Sequence, residues 1–261
     1  FIAICISLYY YQTLAKTQKL QKEVLLQSIK AQESEEMKAS FIKSICHEIR
    51  TPLNSINGFS EILSNDISTP EEQEDYQAII LENTRLLTSL LGSLVEVANL
   101  DSLTENFTLT PIEIGSYCRA EMQYLKEADG KQEIDYQLDL PENDYKVYSH
   151  PQYFSLLLRA LLNNANKFTT QGFINLSCRK DNKRKMLLVS ITDTGCGIPA
   201  EKHEYVFRRF TKLDIFKQGS GLGLYLCKLI IKHMQGDIYI DETYTKGSRF
   251  IFTLPMEETK K

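Results

Sequence analysis

Two consecutive segments carry apolar residues in a four–three rhythm, and that rhythm restricts the fold more than any other feature of the chain. In the first, Phe41, Ile45, Ile49, Leu53, Ile56, Phe59 and Leu63 recur at spacings of three and four, which places them on one face of a helix. In the second, Tyr76, Ile80, Asn83, Leu87, Leu90, Leu94 and Val97 repeat the same way over three heptads. Residues 65–70 between them are polar, and Pro70, Glu71 and Glu72 read as an acidic helix start. The stripe of such a hairpin is too wide for one partner helix to cover. Pairing two hairpins covers it, so residues 41–101 are expected to form an α-helical hairpin in a dimeric four-helix bundle, a homodimer. Asn83, polar within the stripe, is placed to fix the register.

Upstream, residues 13–40 are rich in Gln, Glu, Lys and Ala and hold no Gly or Pro, which is helix-forming material. Leu14, Leu20, Val24, Leu25 and Ile29 are sparse, so a weak coiled-coil linker competes with a solvated single helix. Residues 1–11 are apolar and uncharged and end in three tyrosines, but crossing a membrane takes about 20 apolar residues. Three readings stand: the end of a transmembrane helix over 1–12, a signal-peptide remnant, or a buried strand. The polar helical stretch directly after it, with Lys16, Lys19 and Lys22, favours the first, with tyrosines at the lipid–water interface.

From 102 to 257 the pattern turns to mixed α and β. Helices are expected at 112–128 and 151–167, and strands at 133–138, 173–179, 186–192, 237–240 and 248–254, the last two joined as a hairpin. Strand–helix alternation is too irregular for a doubly wound sheet. The expectation is an α+β sandwich with helices on one face of a mixed sheet. The six cysteines stand singly with no CxxC pair, so they read as free thiols in a reducing compartment. That places the folded part in the cytoplasm. With 43% apolar residues, 25% charged residues and a net charge of -4, the chain lacks the basic excess of a nucleic-acid binder.

Four constellations carry chemistry. His47 lies two positions from both Ile45 and Ile49, about 200° round the helix, so it projects away from the stripe into solvent. Alone it reads as a surface histidine. Beside it, however, the carboxylate of Glu48 can make an imidazole nitrogen the better nucleophile. Thr51 follows one turn later, and Pro52 clashes with the carbonyl of Glu48, so a bend is expected there. In Asp193-Thr-Gly-Cys-Gly-Ile198, Asp193 shares parity with Leu187, Val189 and Ile191, so its carboxylate faces an apolar pocket suited to an amino donor such as adenine. Gly195 and Gly197 let backbone approach a ligand. A single Asp-Thr-Gly also occurs in aspartic proteases, which need two carboxylates.

Gly219-Ser-Gly-Leu-Gly-Leu224 opens a helical run, where backbone N–H groups and the helix dipole can hold phosphate. A flexible loop is the plainer reading of those glycines alone. In Asn163-Asn-Ala-Asn-Lys167-Phe-Thr169 the amides can hold hydrated Mg²⁺ and the lysine can neutralise phosphate. Standing alone, that segment reads as a polar helix end.

Together these segments resemble the bacterial sensor histidine kinases over about residues 35–256. The run from Phe41 to Leu53 resembles the phosphoacceptor box, Asn164 to Thr169 the N box, Asp193 to Ile198 the G1 box, Phe207-Arg-Arg-Phe210 the F box, and Gly219 to Leu224 the G2 box. The resemblance implies a Bergerat (GHKL) ATPase fold like that of gyrase, Hsp90 and MutL, using ATP and Mg²⁺. It implies His47 as phosphoacceptor, Glu48 as its base, and Thr51 as the residue positioning water during dephosphorylation of the partner. Asn164 becomes the metal ligand, Lys167 faces the phosphates, and Asp193 takes the adenine amino group. Residues 197–219 become a lid, with Gly219, Gly221 and Gly223 at its phosphate end, and Phe207, Phe210, Lys212 and Leu222 complete the nucleotide contacts.

The implied partners are a response-regulator receiver domain, a second copy of the chain, and the bacterial inner membrane through the N-terminal segment. One departure stands out: Ala160 occupies the place of an Asn four residues before the metal-binding one. It keeps a degenerate kinase acting as scaffold or phosphatase open as an alternative. An ATP-driven clamp is another, but it leaves His47, Glu48 and Thr51 without a purpose.

Overall fold

The computed structural model describes residues 2–65, 69–102, 107–142, 144–181, 183–213 and 220–256. The chain divides into two compact units, Phe1–Ser55 and Ile56–Lys261.

The first unit is part of one long helix, α1 (Ile2–Ser64), which runs through Pro52 without interruption. The expected transmembrane end falls within this helix, but its side chains at 1–12 lie outside those described. In the segment 41–53 Phe41, Ile45 and Ile49 are half-buried while His47 and Thr51 are exposed, as the periodicity requires.

The second unit begins with the end of α1 and with α2 (Pro70–Ser102). Thr69 and Glu72 form a reciprocal cap at the start of α2. The Thr69 N–H donates to Glu72 Oε2 at 2.8 Å, and the Glu72 N–H donates to Thr69 Oγ1 at 3.3 Å. Pro70 has no N–H, so two of the three orphan donors of the first turn are thereby satisfied. Phe59 meets Tyr76 with ring centroids 5.3 Å apart, closing the hairpin at its turn. Asn83 is half-buried and donates its amide to the Ile79 carbonyl at 2.8 Å. Among the described residues, one segment, Pro70–Leu100, is long and apolar enough to cross a membrane by length and composition. Its apolar positions follow the heptad pattern of a bundle helix.

Val97 and Leu100 at the end of α2 are buried in the same apolar cluster as the α+β part. The compact unit therefore starts upstream of the boundary at 101/102 that composition suggests. Five strands form its sheet: β2 (Ile134–Asp139), β4 (Gly172–Asp181), β5 (Met186–Asp193), β6 (Ile238–Ile240) and β7 (Arg249–Pro255), in the order β2-β4-β5-β7-β6. β2 runs parallel to β4, and all other neighbours are antiparallel. Two short strands missing from the expectation, β1 (Thr110–Glu113) and β3 (Lys146–Ser149), pair separately.

Helices α3 (Ile114–Asp129), α4 (Pro151–Phe168) and α5 (Gly223–His233) cover one face of the sheet, as expected. The first starts two residues later than periodicity places it because β1 takes Thr110–Glu113. The Gly115 N–H is then received by the Asp144 carboxylate at 2.8 Å. Leu157, Leu158, Leu161, Ile174, Val189 and Phe252 are fully buried between the layers, each worth about 1.5–3 kcal/mol over an exposed position. The described cysteines are free thiols, and Cys118 and Cys178 sit 3.9 Å apart, sulfur to sulfur, in the core.

Candidate functional site

On α1 the His47 side chain is 75% exposed, with its Nδ1 3.8 Å from Glu48 Oε1. That separation is an ion-pair distance, longer than a hydrogen bond. Thr51 Oγ1 donates to the His47 carbonyl at 3.3 Å. His47 and Thr51 thus stand on an open helix face, with the half-buried Glu48 beside them.

In the second unit the site grows from the end of β5. Leu187, Val189 and Ile191 are wholly buried and Asp193 is 2% exposed, so the period-two pattern does carry the carboxylate inward. The Gly195 N–H donates to Asp193 Oδ1 at 2.8 Å and the Ser248 N–H donates to the same oxygen at 3.2 Å. Among the described residues, none hydrogen-bonds Oδ2. Burial pushes the Asp193 pKa up, and the two backbone N–H groups work against that rise. Ser248 was legible in the sequence only as the first residue of the expected 248–254 strand, which in the structure begins at Arg249. Its role here depends on β7 lying beside β5, with Thr192 opposite Arg249.

Thr194 fixes the loop that follows. Its Oγ1 accepts the Phe173 N–H at 3.0 Å and donates to the Gln171 carbonyl at 3.1 Å. Gly195 packs against the Phe168 carbonyl at the end of α4, so the Asp193 loop and the last turn of α4 share a wall. Gly197 has φ +71 and faces the Gly247 backbone. On α4, Asn164 and Lys167 are half-buried and Asn163 is exposed. Ala160 is partly buried and packs on the core.

Asn166, which the sequence grouped with its neighbours, turns the other way. It is 1% exposed and accepts the Tyr136 hydroxyl on Oδ1 at 2.7 Å.

Phe207 closes a turn at Tyr205–Phe207, 5% exposed, and its ring meets Phe250 edge-on at 6.2 Å. Phe210 adopts φ +57, and Gly221 explains why that segment can come so close. A Cβ on Gly221 would stand 2.7 Å from the Phe210 carbonyl carbon, and its φ is +67; a side chain fails there on both counts. Arg209 stacks on the Tyr225 ring, its guanidinium 4.6 Å from the centroid. Lys212 is half-buried. Leu222 is fully buried at the N-cap of α5, and Gly223 opens the helix with open space where a Cβ would stand. Gly219, with the part of the expected lid at 214–219, lies outside the described residues.

An inward carboxylate at a strand end, a glycine-bounded loop, an amide-bearing helix and a second glycine turn opening a helix define an ATPase domain. It follows a helical hairpin that bears an exposed histidine. The family model described as "Histidine kinase-, DNA gyrase B-, and HSP90-like ATPase" matches residues 150–258. The model described as "His Kinase A (phospho-acceptor) domain" matches residues 37–103. The chain belongs to the bacterial sensor histidine kinases.

Among its relatives, the sensor protein EvgS of Escherichia coli (strain K12) is 30% identical over 256 residues, covering 95% of this chain and 21% of EvgS. The sensor protein SrrB of Staphylococcus aureus (strain NCTC 8325 / PS 47) is 33% identical over 235 residues, covering 86% of this chain and 39% of SrrB. The chain therefore spans well under half the length of these relatives. In fold it resembles the Acinetobacter baumannii histidine kinase AdeS, with TM-score 0.67, 20% identity, and coverage of 81% of this chain and 98% of AdeS. It also resembles the histidine kinase ThkA, solved in complex with the response regulator protein TrrA. There the TM-score is 0.70 at 24% identity, covering 87% of this chain and 64% of that one.

Proposed function

We propose that this chain transfers the γ-phosphoryl group of ATP to His47 and passes it on to an aspartate of a response-regulator receiver domain. The observation that carries the reading is the exposed His47 imidazole, with the Glu48 carboxylate 3.8 Å from its Nδ1. The carboxylate favours the proton on Nδ1 and leaves the Nε2 lone pair as nucleophile. Nε2 forms the bond to the γ-phosphorus as the bond to the β,γ-bridging oxygen breaks, and ADP leaves. Glu48 then faces the positive charge that develops on the ring.

The adenine amino group fits Asp193 Oδ2, because Oδ1 is already engaged by Gly195 and Ser248. The Gly221–Gly223 turn and the N-terminus of α5 suit the phosphates, since no side chain at Gly223 stands in the way. Mg²⁺ fits this donor set in one way. Among the described residues no group of three or more acidic, His or Cys ligands exists. Mg²⁺ keeps several waters and needs only one or two protein oxygens beside the phosphates. The Asn164 amide oxygen can hold it, with Lys167 three residues on along the same helix. When bound, the ion neutralises charge on the β- and γ-phosphates.

Thr51, one turn from His47, supports a phosphatase activity toward the regulator by positioning water. The half-buried hairpin stripe supports a homodimer. The apolar 1–11 segment followed by Lys16, Lys19 and Lys22 supports attachment to the bacterial inner membrane with the catalytic part in the cytoplasm. Ala160 supports a second reading, a degenerate kinase serving as scaffold or phosphatase.

Incubation with γ-labelled ATP and Mg²⁺ tests the proposal, comparing the wild type with His47→Gln and Asp193→Asn. Acid-labile, alkali-stable label absent from both variants is expected. ATP bound without label on the wild type would sink the kinase reading and leave the scaffold.

A further inference from the structure

Helix α4 ends without a glycine. Its cap residue Thr169 is extended, with φ -104 and ψ 128, so the last carbonyls of the helix need donors from elsewhere. Lys131 supplies them. Its ammonium donates to the Asn166 carbonyl at 2.5 Å and to the Thr169 carbonyl at 2.9 Å.

The backbone N–H of the same lysine donates to the Tyr136 hydroxyl at 3.0 Å, and that hydroxyl donates in turn to Asn166 Oδ1 at 2.7 Å. The turn that carries Lys131 is held to the sheet. The Ile134 N–H donates to the Lys131 carbonyl at 3.2 Å, and the Gly172 N–H donates to the Glu133 carbonyl at 3.0 Å. Three polar groups thus tie the end of α4 to the edge strand β2.

Asn166 and Asn164 are two positions apart, about 200° round the helix, so they face opposite sides. Lys167 is three residues from Asn164 and shares its face. The anchored back of this turn is Asn166, and its front presents Asn164 and Lys167. The turn also bears on the Asp193 loop, because Gly195 packs on the Phe168 carbonyl. With Ala160 one turn earlier in place of an amide, the proposed metal reading leans on Asn164.

We propose that Lys131, Tyr136 and Asn166 are positioning residues for the metal and phosphate end of the nucleotide site, setting where Asn164 and Lys167 stand. The proposal rests on the reading of Asn164 as the Mg²⁺ ligand. Groups that orient a metal ligand without touching the metal set its affinity, and small displacements of positioned groups cost activity steeply.

The test is ATP binding by the full chain, followed by displacement of a fluorescent ATP analogue, across a Mg²⁺ titration and in chelator. Tyr136→Phe removes one hydroxyl and keeps the ring, Lys131→Met removes the charge, and Lys131→Arg keeps it. The Mg²⁺ concentration for half-maximal tightening is expected to rise about tenfold in Tyr136→Phe and Lys131→Met. Chelator-phase ATP affinity is expected to fall much less than affinity with Mg²⁺, because only the Lys167 contact is then disturbed, with Lys131→Arg between the wild type and Lys131→Met.

An unchanged Mg²⁺ midpoint in both variants overturns the proposal. So does an equal loss with and without Mg²⁺, which marks a brace for the fold alone. Asn164→Ala separates the two layers. If it leaves the Mg²⁺ response intact, the metal assignment falls and the positioning role with it. If only Asn164→Ala alters the response, the positioning role alone is refuted.

Discussion

Asp193 and Ser248 hold each other twice: the Asp193 N–H donates to the Ser248 carbonyl at 2.9 Å, and the Ser248 N–H returns to Asp193 Oδ1 at 3.2 Å. One link belongs to the backbone ladder and the other orients a carboxylate that is almost wholly buried. The strand β7 therefore sets the direction of Asp193 as much as β5 does.

Burial raises the Asp193 pKa despite those N–H groups, which fixes the sign of a pH effect. Between the unfolded pKa and the raised folded one, the native state binds more protons than the unfolded chain. Stability from this group is therefore lost as pH rises through the folded value. Melting temperatures of the nucleotide-free wild type, measured against Asp193→Asn from acid toward neutrality, should show the wild type losing ground as pH increases. A difference that moves the other way, or stays flat, contradicts the burial argument.

On the proposed reading, Glu48 acts through His47, whose Nδ1 lies 3.8 Å from its carboxylate, and not through the nucleotide site. Glu48→Gln keeps the side-chain volume and removes the charge beside Nδ1. Labelling of His47 should slow by on the order of 100-fold, while ATP affinity stays unchanged. Thr51→Ala should preserve His47 labelling and slow the removal of phosphate from the phosphorylated regulator. Equal losses of labelling and ATP binding in Glu48→Gln would remove it from the transfer step.

Patterns with short periods were legible in the sequence. The parity of Leu187, Val189, Ile191 and Asp193 gave both the strand and the inward carboxylate, and the heptads gave both hairpin helices. Features set by residues far apart were not. Nothing local marks 110–113 as a strand. Its partner is 146–149, and the helix after it is capped by Asp144, which is 29 residues from the Gly115 N–H that it receives. Asn166 looked like one more polar residue in an amide-rich run, because Tyr136, which defines it, lies 30 residues away in another element. Ser248 was hidden for the same reason, paired with a residue 55 positions earlier.

The ion pair between α3 and α4 should matter to stability asymmetrically. Arg159 Nε donates to Glu121 Oε2 at 2.9 Å and its Nη2 donates to Oε1 at 3.1 Å, while the Glu121 side chain is 6% exposed and that of Arg159 is 46% exposed. Arg159→Met leaves a buried carboxylate without its partner. The cost should be about 2–3 kcal/mol, below the usual penalty for breaking a buried pair because water still reaches the arginine side. Arg159→Met combined with Glu121→Gln should recover part of the loss. Denaturant unfolding of the two single variants and the double variant measures the coupling. An additive double variant would mean that the pair contributes nothing beyond its separate side chains.

The hairpin stripe makes the last prediction. Phe41, Ile45, Ile49, Ile56, Phe59, Ile80, Leu87 and Leu94 are only half-buried within one chain, and they lie on the positions that a four-helix bundle uses. In the proposed homodimer a second copy supplies the cover, so a charge at the centre of the stripe should act on assembly before it acts on chemistry. Leu87→Asp places symmetry-related carboxylates in the interface, and each costs several kcal/mol to bury unpaired. Dimer affinity should fall by about 100-fold or more, read by sedimentation velocity over a dilution series. ATP binding should persist, because Asp193, Gly195, Ser248 and the glycine turn before α5 all belong to one chain. A wild type that sediments as a monomer at every concentration would refute the bundle. Loss of ATP binding in Leu87→Asp at unchanged dimer content would instead tie the hairpin directly to the nucleotide site.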